Sequence, residues 1–365
     1  MSVPRALARA VVLVALAAIG LLGAYRYWES YYVHRGFAPV AYVPHAHPGR
    51  LETVHFYSTA LHREADYLVS LPPGYRQGSR RRYPVYYLLH GSPGRPAAFL
   101  VIAHMPTRMS DLIAEHRMRA MILVLPDGRI GGSSFSDSEW ANTPSGAYAS
   151  YVVDVVHDVD RRFDTLPNRQ DRVIAGLSMG AYGATNIALH NLGLFGNLQS
   201  WSGYYRQTRS GVFANADAAA LRANSPIEYV SHLRRRIARY PVRAFLFCGR
   251  DDDSSVQVQP MASALAAAGG RVSWALYPGG HDWQLWDAHL DQMLELASRD
   301  TTRPLRPSSG SARSLTPGVT PIPHGKGSHR RGRTAQRPAR RSHHRRGRAR
   351  RRGRRRPLDR RHRGA

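Results

Sequence analysis

Apolar positions along the chain follow two different spacings. Short, nearly unbroken apolar runs recur at 83–91 (YPVYYLLHG), 121–128 (MILVLPDG), 172–178 (RVIAGLS), 198–203 (LQSWSG), 242–249 (VRAFLFCG) and 272–278 (VSWALYP). A run of this kind has no polar face to give to water, which suits a strand buried on both sides of a covered sheet. Between the runs, apolar residues return every three or four positions. In 148–163 they are Tyr151, Val152, Val155, Val156, Val159 and Phe163, and the stretches 180–191, 256–268 and 284–298 are of similar length. That spacing predicts helices. Earlier still, TVHFYS (53–58) and DYLVSLP (66–72) flank a short polar turn and predict an antiparallel hairpin. Strand–helix alternation after such a hairpin predicts an α/β fold, a mostly parallel central sheet with helices on both faces. No repeat of 20–50 residues interrupts it.

Both ends depart from this pattern. Residues 10–25 form an uncharged apolar run between Arg9 and Arg26. Its sixteen residues reach about 24 Å as a helix, slightly short of a hydrocarbon core of about 30 Å. Arg5 and Arg9 before it favour a cytoplasmic amino end and an exported body. A cleavage site after Ala24 would place Leu22 at −3, where a small residue is wanted, and Tyr25, Tyr27, Trp28, Tyr31 and Tyr32 crowd the exit like an interfacial aromatic belt. The expectation is therefore a single-pass signal anchor over 1–26, with the rest of the chain extracytoplasmic; a cleaved signal and a secreted protein are the alternative. A linker over 27–50 and a catalytic body over 51–299 follow.

At the other end, 300–365 changes composition. Residues 301–365 hold 22 basic residues against one acid, so most of the net charge of +27 lies there and the first 300 residues carry only +6. A segment rich in Arg, Pro, Gly and Ser has too little apolar surface to bury a core, and disorder is expected. Such a tail suits non-specific adhesion to polyanions, although Lys326 is the only lysine in the chain and the arginine density equally suits coding bias. Without interleaved aromatics, base-specific nucleic-acid recognition is not expected. Cys248 is the sole cysteine, which excludes an internal disulfide framework and a Cys-based metal site. In its apolar run it reads as a small core hydrophobe.

Candidate chemistry centres on GLSMG (176–180), a G-x-S-x-G match with an apolar strand before it and a small-residue helix after it. In such an elbow Ser178 is held in a strained turn with its hydroxyl clear of the sheet, and Gly176 and Gly180 relieve the resulting crowding. A serine hydroxyl needs a base near neutrality. His281, in YPGGHDWQLW directly after the last strand, stands where that base is expected, whereas His157, His190, His232 and His289 fall in helix-like stretches. An acid to orient the imidazole should follow the preceding strand. FCGRDDD (247–253) offers three, with Asp252 preferred and Asp251 the runner-up. Two backbone amides must meet the oxyanion. Met179, the residue after the nucleophile, supplies one, and Ser92 in LLHGSPG (88–94) is placed to supply the other, with His90 as a loop-shaping residue.

Together, LLHGS, LPDG…GGSSFSDSEW, GLSMG, FCGRDD and GGHDW resemble the esterase family that includes feruloyl esterases, S-formylglutathione hydrolases and antigen 85-type mycolyltransferases, over roughly residues 51–299. The resemblance implies an α/β-hydrolase fold, no cofactor or metal, and an acyl-enzyme on the serine. Carried over by motif, it implies Ser178, Asp252 and His281 as catalytic residues and the amides of Met179 and Ser92 as the oxyanion hole. Segment 131–140 resembles the loop lining the acyl site of the mycolyltransferases and implies Phe135 and Trp140 as substrate contacts. Those transferases use glutamate as the acid, while this chain has aspartates, as the esterases do. The expected activity is serine-dependent hydrolysis of acyl or aryl esters. An acyltransferase passing the acyl group to an alcohol is the alternative, and a non-catalytic polyanion-binding protein on a hydrolase scaffold is the second.

Overall fold

The computed structural model of the protein describes residues 5–28, 35–36, 39, 41–133, 135–302 and 305. An apolar helix comes first, α1 (Arg5–Trp28). The hairpin β1 (Leu51–Ser58) and β2 (Arg63–Ser70) follows, then β3 (Val85–Leu89), α2 (Ala98–Val101), α3 (Met105–Ala114) and β4 (Ile122–Pro126). A minor hairpin of β5 (Asn142–Thr143) and β6 (Gly146–Ala147) leads into α4 (Tyr148–Arg162), β7 (Arg172–Leu177), α5 (Met179–His190) and β8 (Asn197–Trp201). Three short helices, α6 (Ala218–Ala223), α7 (Pro226–Tyr229) and α8 (Arg234–Arg239), precede β9 (Arg243–Gly249), α9 (Ser255–Ala267), β10 (Arg271–Tyr277) and α10 (Trp283–Thr302).

Eight strands make one sheet in the order β1-β2-β4-β3-β7-β8-β9-β10. The β1–β2 and β2–β4 pairs are antiparallel and every later pair is parallel. The unbroken apolar runs have their physical cause here: every residue of β3, β4, β7 and β8 is buried. In β3, Val85, Tyr87 and Leu89 join the core formed with α4, α5 and α9, while Tyr86 and Leu88 join the opposite core formed with α3 and α10. Successive side chains thus feed two separate layers, as the two-residue period of a strand requires. From β3 the chain crosses to β4 on one side, then returns to β7 on the other. The loops leaving β3 and β7 therefore diverge, and the crevice between them at the carboxyl ends of the strands is the topological switch point.

Two expectations about the N-terminal region change. The helix is not limited to the uncharged run: Ala6–Trp28 has 23 residues with mean hydropathy 2.3 and none of that window buried. At 1.5 Å per residue it reaches about 34 Å, enough by length and composition to cross a bilayer. The polar segment expected as a plain linker is docked at its carboxyl end. The Tyr42 hydroxyl and the His45 and Ala46 amides all donate to the buried carboxylate of Asp111 on α3. Arg108 lies 4.2 Å over the Tyr42 ring and also pairs with Asp287 and Asp291 of α10. The Arg-rich part of the tail, from 306 on, lies outside the described residues.

Candidate active site

Between the end of β7 and the start of α5 a single residue makes the turn. Ser178 has φ 57° and ψ −121°, a left-handed conformation that a non-glycine residue adopts only when its surroundings enforce it. Its amide donates to Trp201 O on β8 (2.8 Å), and its carbonyl accepts from Ala181 and Tyr182 at the head of α5. So tight a turn brings the flanking positions against backbone. A Cβ on Gly176 would lie 2.1 Å from Gly180 O, and one on Gly180 would lie 2.1 Å from Leu89 O. Only hydrogen fits at either place.

His281 reaches this serine from the loop after β10. Its Nε2 is 2.8 Å from Ser178 Oγ and its Nδ1 is 2.7 Å from Asp252 Oδ2. The ring is braced by Trp286, edge-on at 5.1 Å, whose indole N–H donates to Ser202 Oγ at 3.0 Å. Amides of Arg250 and Asp251 donate to Tyr277 O and Gly279 O, which ties the acid-bearing loop to the histidine-bearing one. Among the three candidate aspartates Asp252 is buried, and Asp251 and Asp253 are exposed. Burial raises the Asp252 pKa. The His281 hydrogen bond and charge, the Ser254 amide and the Cys248 thiol outweigh it and bring the value to about 2. Cys248 itself is buried at the end of β9; burial and then the Asp252 charge push its thiol pKa well up, away from nucleophilic use. Of the other histidines, His157, His190 and His232 are exposed and His289 stacks on Tyr277 at 3.7 Å.

The loop after β3 lies against the same serine. A Cβ on Gly91 would come within 3.1 Å of Ser178 Cβ. The next amide, Ser92 N–H, and the Met179 N–H at the first turn of α5 donate to no backbone or side-chain acceptor among the described residues. The Ser92 hydroxyl donates to Asp137 Oδ2 at 2.5 Å. His90 braces this loop from within: its Nε2 accepts from Gly128 N–H at 3.0 Å, so Nδ1 carries the hydrogen shared with Gly91 O at 2.9 Å.

The two expected substrate contacts part company. Phe135 is 60 % exposed at the outer edge of segment 131–140 and packs edge-on against Trp28 at the end of α1 (5.8 Å). Trp140 is a correction. It is fully buried, its indole N–H donates to His90 O at 3.0 Å, and its side chain fills the space left by Gly128 and Gly183. It supports the loop after β3 from beneath and offers no surface to a substrate. The cause is local backbone: Glu139 and Trp140 both have positive φ (51° and 49°), which turns the indole inward.

Several neighbours escaped the sequence reading. Glu139 accepts from the Tyr204 hydroxyl and from Gln207 Nε2, and Tyr204 stacks on Tyr182 of α5 at 5.2 Å with the rings 5° from parallel. Burial pushes the Glu139 carboxyl above its usual range against the pull of those two hydrogen bonds. Asp137 and Glu139 are visible in SDSEW, but the partners of Glu139 come from the loop after β8, and no spacing connects them. Among the described residues no group of three or more His, Cys, Asp or Glu side chains is arranged to hold a metal ion.

The chain is similar to known esterases. An endo-1,4-beta-xylanase/feruloyl esterase of Xylanibacter ruminicola is 24 % identical over 260 residues, covering 70 % of this chain and 32 % of that protein. An esterase of Mycobacterium tuberculosis is 26 % identical over 251 residues, covering 61 % and 51 %. The chain thus spans about a third and about half of the length of these two curated relatives. The solved structure of a ferulic acid esterase superposes with a TM-score of 0.61 at 25 % identity, over 70 % of this chain and all of that one. Residues 58–297 match the family described as putative esterase, and the chain belongs to that family.

Proposed function

We propose that the protein is a serine carboxylic-ester hydrolase working through Ser178, His281 and Asp252. One observation carries the reading: the unbroken contact chain from Ser178 Oγ through both ring nitrogens of His281 to a buried aspartate, built on a serine in a strained elbow. In the proposed cycle, His281 Nε2 takes the hydroxyl proton as Oγ attacks the ester carbonyl carbon. Asp252 fixes the ring through Nδ1–H and stabilises the imidazolium. The amides of Met179 and Ser92 receive the oxyanion. His281 then returns its proton to the departing alcohol, which leaves an acyl-serine. Water attacks that ester with His281 again as base, and the carboxylic acid departs. The names of the relatives favour acyl or aryl esters, feruloyl esters among them, as substrates. In the same reading α1 anchors the protein in the cell membrane with the catalytic body extracytoplasmic, and the basic tail adheres to polyanions.

The test is chemical labelling together with turnover. The full chain should react with a fluorophosphonate at Ser178 and hydrolyse p-nitrophenyl acetate and methyl ferulate. Labelling that persists in Ser178→Ala, or an unlabelled protein with no turnover of any carboxylic ester, sinks the assignment.

A further inference from the structure

The loop after β3 and the loop that carries His281 are bridged by consecutive residues from outside the hydrolase body. The Arg35 guanidinium donates to the carbonyl oxygen of Ser92, on the oxyanion loop. Gly36 lies against Asp282, the neighbour of His281, with a Cβ position only 3.4 Å from Asp282 Cβ. Farther along, Tyr42, His45 and Ala46 are fixed to Asp111, so this stretch is held to the body at two separate places. Upstream, Trp28 ends the apolar helix and packs on Phe135, two residues before the Asp137 that accepts from Ser92.

Chain length makes this arrangement restrictive. Arg35 lies seven positions beyond Trp28, and at about 3.3–3.6 Å per residue those seven steps span at most about 25 Å. Trp28, with Tyr25 and Tyr27 exposed beside it, occupies the position of an aromatic anchor where the helix leaves the hydrocarbon. An exposed phenylalanine of the active-site loop in contact with that anchor brings the loop to headgroup level. The amino ends of the strands are farther off by the length of the sheet: the six residues of β7 alone add about 20 Å.

We infer that the mouth of the active site faces the membrane and draws its esters from the outer leaflet, with Trp28, Arg35 and Phe135 forming the rim between bilayer and catalytic groups. The inference rests on the proposed ester hydrolase and on α1 as its anchor. It names the substrate class as esters whose acyl chains are embedded in a bilayer, with the reacting carbonyl near the headgroups.

Orientation and turnover test it separately, both on the full chain in phosphatidylcholine vesicles. Because Cys248 is buried, a bimane label goes to an introduced thiol. Ser136→Cys sits beside Phe135, and Arg271→Cys sits at the opposite end of the sheet; both positions are exposed. Nitroxide on the lipid headgroups should quench the label at 136 several times more than the label at 271. Equal quenching, stronger quenching at 271, or a protein that does not float with the vesicles overturns the orientation. For turnover, Trp28→Ala combined with Arg35→Ala should lower kcat/KM on vesicle-embedded p-nitrophenyl palmitate about tenfold or more, the size expected from losing a local concentration gain, with a much smaller effect on soluble p-nitrophenyl acetate. Trp28→Phe combined with Arg35→Lys should restore the embedded substrate. Parallel changes on both esters overturn the rim. A wild-type protein that cleaves neither ester removes the hydrolase reading and the substrate class with it, while the quenching pattern still decides which face meets the membrane.

Discussion

Ser178, His281 and Asp252 come from three loops, and each is fixed by a different device. The serine is fixed by backbone strain, the histidine by an indole edge, the aspartate by burial. In Ser178→Ala the oxygen that would carry the acyl group is gone, and ester turnover should fall by at least about three orders of magnitude while circular dichroism stays unchanged. Activity within tenfold of wild type would move the nucleophile elsewhere. Asp252→Asn leaves the imidazole tautomer unheld and should cost about three to four orders of magnitude, whereas the exposed Asp251 and Asp253 should tolerate the same change with little effect. Asp252 also predicts a pH dependence of stability. Its pKa is about 2 in the fold against an ordinary 3.8, so the unfolded chain binds this proton more readily than the folded one. The stabilisation is complete above the ordinary value and is lost as pH falls through about 2. The gap in melting temperature between wild type and Asp252→Asn should therefore narrow from pH 5 toward pH 2, and a gap that widens contradicts the assigned pKa.

Elements differ in how plainly their sequence announces them. Strands buried on both faces write themselves as continuous apolar runs: β3, β4, β7, β8 and β9 each overlap a segment read that way, as does the less buried edge strand β10, while β1 and β2 overlap the expected hairpin. The helices α4, α5, α9 and α10 begin within one residue of the expected positions; α4, α9 and α10 each turn an apolar stripe to one layer, and α5 is buried nearly all round. By contrast α3 buries Arg108 and Asp111, whose partners lie in α10 and in residues 42–46, so its periodicity is masked by charges that only the fold can satisfy. The short helices α6 to α8 are too brief to show a period. The serine and histidine were legible because each follows a strand. The choice of Asp252 over Asp251 follows burial, and the inward turn of Trp140 follows two positive φ angles that no spacing encodes. Two substitutions test this scale. Gly176→Ala sets a methyl group against the backbone of Gly180, and thermal unfolding should record a loss of about 1–3 kcal/mol or more, with turnover falling as the elbow shifts. Trp140→Ala empties a fully buried site and should cost about 3–5 kcal/mol; a variant that keeps its stability and loses only substrate affinity would return Trp140 to the substrate.

For the whole molecule, charge and catalysis are divided along the chain. Deleting residues 303–365 removes the whole +21 carried by 301–365 and no candidate catalytic group. Heparin binding should disappear while turnover of soluble esters persists, and the intact chain should release heparin steeply as salt rises, as counterion release requires. Strong binding by the shortened protein would place the basic function on the folded surface. The optical properties of the molecule follow from the brace beside the candidate active site. Of its six tryptophans, Trp286 meets His281 edge-on at 5.1 Å, and Trp283 lies 5.4 Å from Trp286, close enough to pass excitation to it. An imidazole in contact with an indole quenches its emission. The intrinsic emission of the protein should therefore brighten in His281→Ala, and Trp286→Phe should abolish that gain, which makes the contact between the proposed base and its brace readable by fluorescence without any substrate.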